Sequence, residues 1–183
     1  MAYFYLDFRD ADKQTCRNLL LSLLTQLSAR SDSCFDIVFR LYSEHCNGAQ
    51  QPGDRVLAQC LKEVLALTAH HPTYIVIDAL DESHNTLGVP SERERVFQLL
   101  KDIVDLRHSN VHICVTSRPD IDIRTALEPL ASRAVSIHDQ NGQRRDIVKY
   151  IRHVVNADPK MMRWRDEDKN LVIDTLSERA DGM

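Results

Sequence analysis

With 183 residues, 43% of them hydrophobic and 27% charged, the chain has the composition of one folded domain or slightly more, which excludes disordered and collagen-like classes. A formal net charge of −4 supplies no positive field to gather nucleic acid or an anionic membrane, and no run approaches the roughly 18 to 20 apolar residues of a membrane span. The five cysteines are odd in number and never spaced as CxxC, and the eight histidines form no metal set, so the chain reads as a reduced, cytoplasmic protein.

Residues 2–8, AYFYLDF, are rich in aromatic side chains and are followed by a charged turn, a pattern that predicts a first strand. Met1 stands one residue before it, so no element is expected ahead of this strand within the sequence. Cys16, Leu19, Leu20, Leu23, Leu24 and Leu27 then follow the spacing of a helix with one buried stripe. A second helix is predicted over 34–42, and the Gly- and Gln-rich stretch 47–53 reads as a loop. Val56, Leu57, Cys60, Leu61, Val64 and Leu65 restore the helical period. His70 and His71 precede Pro72 at the expected helix end, where imidazole meets the last carbonyls more readily than it binds zinc.

Residues 74–77 are apolar, β-branched and uninterrupted, the pattern of a strand buried on both faces of a parallel sheet. After a loop at 85–90, SERE at 91–94 is a capping box that opens a helix with Val96, Phe97, Leu99, Leu100, Ile103 and Val104 inward. Residues 112–120, HICVTSRPD, repeat the buried-strand pattern, which breaks at Pro119. A helix over 123–130 and a short strand over 134–138 complete the series. Cys16, Cys60 and Cys114 fall inside apolar patterns, where a free cysteine acts as a small buried hydrophobe.

Strand and helix therefore alternate four times without a hairpin, which predicts crossover connections in a mostly parallel, three-layer α/β sheet. Ligands of such sheets bind at the carboxyl ends of the strands. From 146 onward only helical patterns appear, through Ile147, Val148, Tyr150 and Ile151 and then Leu171, Val172, Ile173 and Leu176.

Two constellations fall at that ligand edge. Asp78 follows four apolar residues directly, with Asp81 and Glu82 three and four positions on, so three carboxylates converge where a hard cation such as Mg²⁺ would offset their repulsion. The plainer alternative is a polar turn capping the next element. Thr116, Ser117 and Arg118 end another strand, where a guanidinium can reach a phosphate oxygen with paired hydrogen bonds. Alone, Arg118 reads as a surface ion-pair residue.

The segment YIVIDALDES at 74–83 resembles the Walker B motif of NACHT domains, the signalling P-loop NTPases of the STAND group, and the TSRP at 116–119 resembles their sensor motif. Together with the opening AYFYLDFRD, their spacing is similar to the nephrocystin-type NACHT domains common in large fungal proteins. The resemblance implies that Asp78 holds Mg²⁺ through its water shell, with Asp81 a second acid on the metal side. It implies that Asp81 or Glu82 polarises the attacking water, Glu82 having the longer arm, and that Arg118, beside Thr116, senses the γ-phosphate of ATP or GTP.

A P-loop also needs GxxxxGK[ST], and the five glycines here nowhere form it. The family's strand order places the strand bearing that loop between 113–115 and 134–138. The expectation is thus an incomplete NACHT-like core over 1–140 and the beginning of a helical lid over 141–183. Its function in a longer parent would be an NTP-dependent switch whose binding and slow hydrolysis control oligomerisation with copies of itself or with signalling proteins. A degenerate interaction scaffold is the alternative. A Mg²⁺-dependent nuclease or phosphatase ranks last, because neither a DxD nor a PD…(D/E)xK pattern is present.

Overall fold

The leucine stripe after Thr15 folds as its period dictates. Helix α1, Cys16–Ser28, buries Cys16, Leu19, Leu20, Leu23, Leu24 and Leu27, and the Thr15 side chain caps it by accepting from the Asn18 N–H. The structure, a computed structural model, describes residues 1–67, 72–84, 90–136 and 141–179, with the backbone alone at 141–144. Over these residues the chain is mixed α/β, with three parallel strands and seven helices. The strands are β1 (Ala2–Tyr5), β2 (Thr73–Asp78) and β3 (Val111–Val115), in spatial order β1-β2-β3. Helices α2 (Asp32–Glu44) and α3 (Asp54–Leu67) follow α1, α4 (Glu92–Asp105) links β2 to β3, and α5 (Ile121–Leu127) follows β3.

Parallel pairing aligns Ala2 with Ile75 and Phe4 with Ile77 on one side of β2, and Thr73, Ile75 and Ile77 with Val111, Ile113 and Val115 on the other. That alternate set forms one face of the sheet and joins the core. α1 packs on β1 and against α2, α3 and α4. Leu19, Leu23, Leu27, Leu61, Val64, Leu65, Ile75 and Leu80 are each fully buried. Each such side chain contributes about 1.5–3 kcal/mol relative to exposure, which is why helix packing outweighs strand length in holding a sheet this small. SERE forms the predicted capping box: the Ser91 hydroxyl accepts from the Glu94 N–H while the Glu94 carboxylate accepts from the Ser91 N–H.

The opposite face carries Tyr3, Tyr5, Tyr74, His112 and Cys114, all exposed, with Val76 half-buried. Two expectations fall here. β2 is not buried on both faces, because its side chains alternate strictly and Tyr74 points away from the helices; among the described residues the helices of this part cover one face, not two. Cys114 likewise lies on the exposed alternate of β3.

Residues 134–136 take no strand conformation, so the predicted fourth strand is not formed over them; its last two positions, His70 and His71, and residues 85–89 of the predicted loop lie outside the described residues. The second helix runs longer than its apolar pattern, Asp32–Glu44, because Ser31 caps it three residues ahead of that pattern by accepting from the Cys34 N–H. The chain divides into two units, Met1–Ala131 and Ser132–Met183. In the second, α6 (Asn141–Ala157) packs on α7 (Asp166–Arg179), with Val155 and Ile173 buried.

Candidate functional site

The carboxyl ends of the three strands are fastened to one another by their backbones. Leu6 N–H donates to the Asp78 carbonyl at 3.1 Å, Thr116 N–H to the Ile77 carbonyl at 3.0 Å, and Leu80 N–H to the Thr116 carbonyl at 3.0 Å. Between the last two contacts the chain reverses at Ala79, which sits in the left-handed region at φ 56° and ψ 49°. A Cβ at that conformation costs about 1–2 kcal/mol relative to glycine, so the surrounding contacts must hold it. The Ala79 N–H donates to the Thr116 hydroxyl at 3.1 Å, and that hydroxyl in turn donates to the Asp78 carboxylate. Asp78 is therefore oriented from β3 and left half-exposed at the rim.

Beyond Ala79 a single 3-10 turn, Leu80–Glu82, drives Leu80 into the core and turns the two acids in different directions. Asp81 faces the end of β3: its Oδ1 accepts from the Arg118 N–H at 3.0 Å and its Oδ2 lies 3.4 Å from Arg118 Nε. Glu82 faces the end of β1, its Oε2 accepting from the Phe8 N–H at 3.0 Å. Thus Asp78 meets Thr116 and Asp81 meets Arg118 along the joined ends of β2 and β3, whereas Glu82 meets the end of β1.

The expected convergence of three carboxylates does not hold: Asp78, Asp81 and Glu82 each engage a different neighbour. Among the described residues no group of three or more His, Cys, Asp or Glu is placed to hold a metal ion. A multidentate carboxylate cage therefore does not fit. A Mg²⁺ ion that keeps most of its waters does fit, since it asks only for one or two oriented carboxylates, and Asp78 is such a group.

One residue of the site escaped the sequence reading. Arg93, inside the capping box, is 7% exposed. Its Nε donates to the Ser83 hydroxyl at 3.1 Å, its Nη2 to the Asp81 carbonyl, and its Nη1 to Asp122 at 3.0 Å and Asp120 at 3.3 Å. Partial burial pushes the Asp122 carboxyl up, but the hydrogen bonds from Arg93 and the Ile123 N–H outweigh it and hold the group below its ordinary value. Arg93 thereby ties the acidic turn to the segment after Arg118. The available signal was a charged residue one turn ahead of a buried stripe; its partners lie 10 to 29 residues away.

The sequence family described as nephrocystin 3, N-terminal, matches residues 1–118, a span that runs from β1 through Arg118 and contains each of the five residues singled out at the ligand edge. No curated protein and no solved structure matches the chain. Among the described residues no helix is long and apolar enough to cross a membrane.

Proposed function

The chain belongs to the nephrocystin 3 N-terminal family, and from that premise we propose that it is the metal-and-water side of a NACHT-like, P-loop-type nucleotide switch. In this reading a cytoplasmic parent protein binds ATP or GTP with Mg²⁺, hydrolyses it slowly, and so controls assembly with other copies of itself or with signalling proteins. The observation that carries the reading is the joined rim of β2 and β3, where the Thr116 hydroxyl orients Asp78 and Asp81 meets an Arg118 whose side chain is 80% exposed.

Asp78 would hold the water shell of the metal, and Thr116 keeps its carboxylate from rotating away. Arg118 offers a planar donor pair to a phosphate oxygen. Glu82 spends Oε2 on the Phe8 N–H and keeps Oε1 for orienting a water. When bound, Mg²⁺ would neutralise charge on the phosphates. The phosphate cradle itself, GxxxxGK[ST], is not in this sequence and has to come from residues outside it. That missing string favours a second reading, an interaction scaffold without nucleotide.

Calorimetric titration of ATP and GTP, with Mg²⁺, separates the two. It is done on this chain and on a version extended upstream wherever the encoding frame carries a GxxxxGK[ST] string. The switch reading expects binding by the extended form, lost when the loop lysine is replaced, and turnover slowed by about 10²-fold or more in Glu82→Ala. An extended form that binds neither nucleotide leaves the scaffold reading standing. Tight binding by the 183-residue chain alone excludes the scaffold.

A further inference from the structure

The acidic pair after β2 is divided in its contacts, and the division assigns Asp81 a different task from Glu82. Asp81 is fixed at both ends. Its carbonyl accepts from the buried Arg93, while its carboxylate, only 11% exposed, accepts from the Arg118 backbone and faces the Arg118 guanidinium. A carboxylate so enclosed and so engaged leaves little surface for a metal or a reacting water. Arg118 is the reverse case: its backbone is anchored, yet its side chain is 80% exposed, and the Asp81 contact is the ion pair that the structure gives it.

We infer that Asp81 is a positioning residue, which anchors the Arg118 backbone through Oδ1 and holds its guanidinium at the rim through Oδ2 until an oxyanion displaces it. The oxyanion part rests on the nucleotide reading above; the anchoring part does not. Arg93 acts one step further back, fixing the peptide from which Asp81 projects and, through Asp120 and Asp122, the chain beyond Pro119. Exposed ion pairs are weak and readily exchanged, whereas a charge-assisted bond from a backbone N–H to a nearly buried carboxylate persists. The same side chain therefore supplies one contact that stays and one that yields.

Asp81→Asn separates the two contacts, because its amide oxygen still accepts from the Arg118 N–H while the charge facing the guanidinium is gone. Asp81→Ala removes both. Hydrogen exchange at the Arg118 amide should quicken at least about tenfold in Asp81→Ala and stay within about twofold in Asp81→Asn, a fold-change set by loss of one charge-assisted bond. Equal exchange in all three proteins would overturn the anchoring role, and Asp81→Asn, which keeps the acceptor, carries the test if Asp81→Ala does not fold: exchange as fast as in free peptide would sink it.

Inorganic tripolyphosphate and ATP are then titrated by calorimetry, with the Arg118 Nε–H resonance followed in the proteins that keep the arginine. The guanidinium role expects Asp81→Asn to bind roughly two- to five-fold more tightly than the native chain, and Arg118→Ala to lose the interaction. Binding that is unchanged by Asp81→Asn overturns that role. Protection at the amide with no response of Arg118 to either anion in any variant overturns the oxyanion part and leaves the anchor, while the nucleotide reading stands or falls separately on binding by the extended form. A response to ATP alone assigns recognition beyond the phosphates, and an equal response to both assigns it to the phosphate chain.

Discussion

The two faces of the three-stranded sheet are built from the same six-residue stretch of β2 and behave as different materials. Thr73, Ile75 and Ile77 meet the helices and are buried, while Tyr74 is exposed and stacks on His112 at 5.0 Å between ring centres. The difference shows that hydrophobic character in a strand does not identify the face it serves: tyrosine, valine and isoleucine all favour the pleat, and only the position of the helices decides which alternate is removed from water.

The sharpest way to break the contrast is to cut one side chain on each face. Ile75→Ala should lose about 2–5 kcal/mol of unfolding free energy, transfer and cavity costs together, read as a lower urea midpoint at unchanged slope. A cost below about 1 kcal/mol would mean the core face is not packed as described.

A second test uses the cysteines that belong to the helix-covered core. Burial pushes the Cys16 thiol up to about 12, with Glu92 and Asp54 adding to it, and the Cys60 thiol up to about 11. The unfolded chain gives up these protons near the ordinary value of 9.0 while the native chain still holds them, so the native state binds more protons and stability falls as pH rises. For a thiol as buried as Cys16, the loss approaches about 1.4 kcal/mol per pH unit between the unfolded and native values. Urea midpoints at pH 8, 9 and 10 check it, and Cys16→Ala should flatten the dependence. The smallest effect belongs to the open face: Tyr74→Thr removes one cross-strand stack and should cost no more than about 1 kcal/mol, by the same urea measurement.

How much of this was legible depended on the range of the contact. The stripes of α1, α3 and α4 were readable because helical burial repeats within a few residues; the six apolar positions named for α1 are its six buried ones. In α3 and α4 the flanking Val56 and Val104 proved exposed, at 42% and 37%, because a stripe marks the middle of a buried face better than its margin. The strand β2 was readable, but its two-sided burial was not, since an unbroken β-branched run hides the alternation that only packing reveals. At the site, Asp78, Thr116 and Arg118 were legible as strand ends. The parting of Asp81 from Glu82 was not, because it depends on Ala79 turning left-handed and on Arg93 arriving from another helix. Whether Asp78, Asp81, Glu82, Thr116 and Arg118 act on nucleotide is for the titrations to decide.

A glutamine on α1 has one more consequence. The Gln26 side chain accepts from the Tyr3 N–H at 3.0 Å and donates to the Tyr3 carbonyl at 2.7 Å, imitating at that point a neighbouring strand along the outer edge of β1. Among the described residues β3 is the other terminal strand. A further strand that reached the β1 edge would have to displace this glutamine at Tyr3.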